Sequence, residues 1–127
     1  MGEKAIWLSS VLLMGLLLAE ILWAQDKAEG KKMYVMYCSG CHGDSGKGDG
    51  PAARSLPVKP ADYTDGMVMN QLSDKFLFDI ISKGGSAVVG KSPYMPAWGS
   101  QLKEKQIREI MGYIRGLAVP THKPSGK

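Results

Sequence analysis

Two stretches of the chain carry a helical apolar period. Across Gln101 to Ala118, the residues Ile107, Ile110, Met111, Ile114, Leu117 and Ala118 recur at i, i+3, i+4 and i+7, the pattern of one buried helix face. Across Ser73 to Lys83, "SDKFLFDIISK", one face gathers Phe76, Leu77, Ile80 and Ile81. Ser73 is placed to cap that helix, Asp74 suits its first turn, and Lys83-Gly84 suits its stop. A weaker third pattern runs from Asp26 to Tyr37, with Met33, Met36 and Tyr37 apolar and Gly30 inside. An interior glycine costs helix stability, which points to close packing against another element. Between these helices, glycines stand at 40, 43, 46, 48 and 50 and prolines at 51, 57 and 60. Gly84 to Ser100 is punctuated in the same way by Pro93 and Pro96. Both segments read as loops. Residues 25–127 show no sustained period-two alternation, so the fold class is all-α, three to four short helices joined by long loops. Loops this long are uncommon in a compact domain unless something organises them.

The first 24 residues follow a different pattern. Ala5 to Ala24 reads "AIWLSSVLLMGLLLAEILWA", with Lys4 before it and Asp26, Lys27 and Glu29 after it. Two readings stand, a cleaved secretory signal and a membrane anchor. For cleavage, the uninterrupted apolar core from Val11 to Ala19 is short, and Leu22-Trp23-Ala24 departs from the small-x-small rule. For an anchor, Trp7 and Trp23 bracket the segment like an interfacial belt. Twenty helical residues would span about 30 Å, the hydrocarbon thickness. Either reading exports the rest. The expected organisation is therefore an N-terminal hydrophobic helix in residues 1–24, a domain over 25–119, and a polar tail over 120–127.

At 127 residues the chain has room for one small domain. Such a domain buries about two thirds of its unfolded surface, so a hydrophobic cofactor at its centre would enlarge the core. Without Glu3, Lys4 and Glu20 the exported part keeps 15 basic and 10 acidic residues, net +5. The charge is scattered, and no basic run suggests a nucleic-acid arm. It suits docking to an acidic protein partner, or serves solubility alone.

Both cysteines fall in "YCSGCHGDSGKG", with Cys38 and Cys41 three apart and His42 next. A zinc site would want a second ligand pair, and only His122 in the tail is left. A thiol-exchange site belongs beside a βαβ pattern, with its first cysteine at a helix N-terminus. Covalent haem fits the spacing: two thiols add to the two vinyl groups of one porphyrin, and the adjoining imidazole reaches the iron. Attachment on the exported side of a membrane agrees with the N-terminal segment, and long loops can wrap a porphyrin.

"YCSGCHGDSGKGDGP", followed by "SPYMPAWG" ahead of a C-terminal helix, resembles a class I monohaem cytochrome c of the bacterial type over residues 26–118. The resemblance implies the cytochrome c fold around one covalent haem c per chain. It implies Cys38 and Cys41 as attachment points, with His42 and Met95 as axial ligands of the iron. Met95 is set between Pro93 and Pro96, whose rings stiffen the backbone that would hold its thioether. Met67 and above all Met69 compete for that role, while Met33, Met36 and Met111 read as packing. The family also has a loop proline whose carbonyl holds the second nitrogen of the histidine, and Pro51 matches it. It further implies that the first and last helices cross at Gly30, with Tyr34 and Tyr113 around the crossing. Lys103 stands where the family often has a Ser or Thr cap, a loss of about 1 kcal/mol.

The implied function is one-electron transfer between exported or membrane-bound redox partners, without enzymatic bond chemistry. Lys31, Lys47 and Lys91 are candidates for steering an acidic partner. Two alternatives remain. One is a membrane-anchored cytochrome c subunit of a respiratory oxidoreductase complex. The other is a haem enzyme or ligand sensor whose sixth coordination site is open. "GDSGKGDG" has no preceding strand or following helix, so it is not a phosphate loop.

Overall fold

A computed structural model describes residues 2–118; residues 2–6, 9, 16–19 and 21–24 are described by their backbone alone. Five α-helical segments follow one another: α1 Gly2–Tyr37, α2 Ser39–His42, α3 Gly66–Met69, α4 Asp74–Lys83 and α5 Glu104–Leu117. Short 3-10 turns lie at Pro51–Ser55 and Gly85–Ala87. There is no strand among the described residues. The expected all-α class is found.

The first helix departs from expectation. It is continuous for 36 residues, so the segment from Ala5 to Ala24 runs without a break into the helix expected to begin at Asp26. Trp7, Leu8, Val11, Leu12, Leu13 and Met14 are exposed on it. Among the described residues, no helix is long and apolar enough to cross a membrane. The spanning helix expected for residues 1–24 falls largely on side chains outside the described residues. The tail from residue 119 onward, with His122, lies outside the described residues.

α5 is the centre of the core. Ile107, Ile110, Met111 and Ile114 are buried on its inner face, and burying each isoleucine stabilises the fold by about 1.5–3 kcal/mol. α1 crosses this helix at Gly30, where an added Cβ would collide with the Glu109 carbonyl. The backbones touch there because glycine has no side chain. Tyr34 and Tyr113 pack beside the crossing with ring centroids 5.0 Å apart. α4 contributes Leu77 and Ile81. Its Ser73 cap accepts from the Phe76 amide at 3.1 Å, and Gly84 ends it at φ 78°.

Two one-turn helices fall in segments read as loop. α2 is discussed with the site. α3 forms because the Asp65 carboxylate accepts from the amides of Met67 and Val68 at 2.9 and 3.2 Å. This cap satisfies donors that four residues cannot satisfy among themselves. Arg115 of α5 then clamps the α3–α4 connection. It donates to the carbonyls of Met69 and Leu72 and pairs with Asp74. At the start of α5, Lys103 has no side-chain acceptor. Gln106 reaches back instead, its Oε1 accepting from the Lys103 amide at 2.9 Å.

Candidate haem site

The Cys-Xaa-Xaa-Cys-His segment is one tight turn on the end of α1. The Cys38 amide donates to Tyr34 O at 2.8 Å and the His42 amide to Cys38 O at 2.9 Å. Gly43, at φ 78°, stops the turn and sends the chain away. The glycine loop then folds back, with Gly48 N donating to His42 O and Gly50 N to Cys41 O. A Cβ on Gly50 would stand 2.5 Å from the carbonyls of Ser39 and Gly40, so only glycine permits this return. The Tyr34 hydroxyl ties the end of the turn down by donating to Gly43 O at 2.7 Å.

His42 is 7% exposed. Its Nδ1 lies 3.1 Å from Ala61 O. A carbonyl only accepts, so Nδ1 carries the proton and Nε2 is the unprotonated nitrogen, the one able to act as a ligand. The expected partner was the Pro51 carbonyl, and the structure gives the role to Ala61. Pro51 opens a 3-10 turn on the exposed rim, while the loop returns to the histidine ten residues later. Tyr63 completes the surroundings. Its ring stacks on the imidazole with centroids 4.4 Å apart and planes 16° from parallel, and its hydroxyl lies 3.1 Å from Nε2. Burial lowers the pKa of His42, against the opposing pull of the Ala61 carbonyl, so the neutral form, which a metal ligand needs, is favoured.

Cys41 and His42 line a cavity of about 380 Å³. Leu77, Ile81 and Ile114 supply apolar wall from α4 and α5, and Met95 also lines the cavity. Met95 is held by the end of α4: Gly85 N donates to Met95 O at 2.9 Å, and Trp98 N to Ile81 O at 2.9 Å. The competing methionines are placed elsewhere. Met69 is 1% exposed and packed in the core, outside the cavity lining. Met67 and Met36 are exposed. Met33 and Met111 pack against or within the core.

The two thiols are not joined in a disulfide. Cys38 is buried, and burial, with Cys41 beside it, pushes its pKa up to about 12. An exchange cysteine has its thiol pKa lowered instead. Among the described residues no group of three His, Cys, Asp or Glu could hold a metal ion. A mostly apolar cavity with a thiol and an unprotonated imidazole nitrogen on its wall, and a thioether also on its lining, fits a porphyrin iron.

Fold and site together define a class I-like c-type cytochrome. The chain belongs to the family of cytochrome c oxidase, cbb3-type, subunit III, whose sequence model matches residues 25–114. It is 30% identical over 92 residues to the cbb3-type cytochrome c oxidase subunit FixP of Bradyrhizobium diazoefficiens, covering 72% of this chain and 28% of that protein. A chain of the reducing HAO-like protein complex of Kuenenia stuttgartiensis superposes with a TM-score of 0.60 at 26% identity. That likeness covers 75% of this chain and 44% of the other. This chain thus spans less than half the length of either relative.

Ala61 and Tyr63 escaped the sequence reading. Each lies about twenty positions past His42, and neither type signals a ligand environment alone. The available signal was the Pro60-bounded turn with a large aromatic inside an otherwise small, polar loop.

Proposed function

We propose that this chain is a one-electron carrier with a single haem c. Cys38 and Cys41 hold the porphyrin through thioethers, His42 Nε2 takes one axial position and Met95 Sδ the other. The observation that carries this reading is that His42, Cys41 and Met95 line one cavity. Bound there, the group supplies the Fe(III)/Fe(II) couple, and His/Met ligation favours a raised potential. The protein's own work is positioning. Ala61 fixes the imidazole tautomer, the stitching of Gly85 and Trp98 to the chain around α4 fixes Met95, and the walls of α4 and α5 keep water out. Pro51 remains a rim residue whose place in the sequence, close after His42, helps turn the loop.

The domain of residues 25–119 is read as exported, working on the periplasmic side and meeting redox proteins through the cavity mouth. The family match beginning at residue 25 supports that boundary. A second reading is favoured by the same family and by FixP, an oxidase subunit by its name: this chain serves as a subunit of a respiratory complex, held at the membrane outer face by residues 5–24. Mass spectrometry of the native protein separates the two, since an N-terminus near Gln25 removes the anchor.

The test of the site is an absorption spectrum with redox titration of the wild type and of Met95→Ala. The wild type is expected to show low-spin haem with the charge-transfer band of a methionine–iron bond. Met95→Ala is expected to lose that band, lower the potential and bind CO or cyanide. A wild type that binds CO rapidly and lacks the band would instead be a haem enzyme or sensor with an open site. Retention of the band in Met95→Ala would move the ligand to Met69.

A further inference from the structure

The chain around Met95 has few inward anchors. Of residues 93–100, only Met95 and Trp98 are half-buried, and the rest are exposed. With the Met95 thioether given to an iron, Trp98 is the one inward side chain left to this stretch. Backbone bonds pin its far end to α4: Trp98 N donates to Ile81 O and Gly99 N to Ser82 O, both at 2.9 Å. They fix where the stretch leaves α4, three and four residues past Met95. A segment with so few buried contacts opens at low cost unless a side chain holds it.

Trp98 reaches the other half of the site. Its ring meets the Tyr37 ring edge-on, with centroids 5.2 Å apart and planes 65° from parallel, an arrangement that the ring quadrupoles favour. Both rings pack against the core cluster. Tyr37 is the last residue of α1 and the immediate neighbour of Cys38. The contact therefore joins the helix that bears the attachment turn to the segment that bears Met95. Neither ring belongs to the cavity lining, so a group filling the cavity competes with the pair for no atom and leaves it in place.

We propose that Trp98 is a positioning residue for Met95: through its contact with Tyr37 it latches the methionine segment to the end of α1 and keeps the sixth position of the iron closed to external ligands. This rests on the haem c reading above, with Met95 as a ligand. An external ligand binds only those molecules in which the segment has opened, so its apparent affinity scales with that fraction. Loss of the latch is thus read as easier ligand entry in a chain that is still folded.

The experiment uses the full-length chain with haem attached, as wild type, Trp98→Phe, Trp98→Leu, Tyr37→Leu and the Tyr37→Leu/Trp98→Leu double variant. Ile110→Val is the control. Ile110 is fully buried in the core and outside the cavity lining, so its truncation lowers overall stability without touching the latch. The wild-type spectrum comes first: absence of the methionine–iron charge-transfer band overturns the parent reading and this one with it. With the band present, association of imidazole with the oxidised protein is followed by stopped flow, below the melting temperature of every variant. Trp98→Leu and Tyr37→Leu are each expected to bind imidazole on the order of tenfold faster than wild type. The double variant is expected to be no faster than either single one, because both remove the same contact. Trp98→Phe keeps a ring against Tyr37 and is expected to stay near the wild-type rate. A wild-type rate in Trp98→Leu overturns the latch while leaving the haem reading intact. Equal acceleration in Ile110→Val also overturns it, because overall stability would then govern ligand entry. Should Trp98→Leu fail to accumulate, Tyr37→Leu removes the other half of the contact and is judged by the same two outcomes.

Discussion

His42 is kept neutral by its surroundings, and this has a consequence for pH. A histidine in the unfolded chain takes up a proton near pH 6.5, whereas burial holds the folded pKa lower. Between those values the unfolded state binds more protons than the folded one, so stability falls as pH drops through the unfolded value. For one such group the slope approaches about 1.4 kcal/mol per pH unit. Denaturant melts of the haem-free chain, in which no iron holds Nε2, are expected to show a lower midpoint at about pH 5.5 than at about pH 7.5. Equal midpoints would mean that His42 titrates freely. At this scale the sequence was uneven. Cys38, Cys41 and His42 were legible because one turn of backbone carries all three. The Ala61 carbonyl and the Tyr63 ring were not, because their contacts with His42 close loops of 19 and 21 residues. Nothing local marks such a pairing, and a resemblance to the family pointed to Pro51 instead.

Helices were more legible than the turns between them. The apolar periods of α4 and α5 matched their buried faces, and Gly30 was expected at a crossing because an interior glycine needs a reason. α2 and α3 were missed because single turns have no period to read; a cap and a following glycine make them. Gly30 and Gly112 give a paired test of the crossing. Gly30→Ala drives a Cβ into the Glu109 carbonyl, and overpacking of this kind costs about 1–3 kcal/mol. Gly112, in α5, has open space at its Cβ position, so Gly112→Ala is expected to stabilise by about 0.5–1 kcal/mol through helix propensity. Thermal melts are expected to move in opposite directions. A second gain is available at Lys103, whose φ of −70° and ψ of 156° already suit a capping residue. Lys103→Ser keeps the Gln106 bond to the backbone and adds an acceptor for the first turn, worth about 0.5–1 kcal/mol. No rise in melting temperature would show that Gln106 alone satisfies that end.

The molecule as a whole is an α1–α5 crossing with a cavity on one side, closed by two loops that the sequence marked only as rich in glycine and proline. Those loops take their order from fixed points: Gly50 under α2, Gly85 against Met95, and Arg115 across the α3–α4 connection. The same architecture sorts the scattered basic charge. Lys59 and Lys91 are exposed and contribute to the cavity lining, with Lys91 Nζ 5.3 Å from the centre of the Phe76 ring. Lys31, on α1, and Lys47 are outside that lining. An acidic redox partner approaching the cavity mouth would feel the first pair most strongly, because exposed charges beyond about 8–10 Å are screened at physiological salt. Charge reversal at both, Lys59→Glu with Lys91→Glu, is expected to slow bimolecular electron transfer with an acidic acceptor on the order of tenfold at low ionic strength. The difference is expected to vanish in high salt, since both residues steer the encounter and neither ligates the iron. Lys31→Glu changes the net charge by the same amount per site and serves as the control. Stopped-flow rates across a salt series separate the outcomes. If Lys31→Glu slows the reaction as much per charge as the cavity-mouth pair does, then net charge governs the encounter and docking is not directed to the mouth of the cavity.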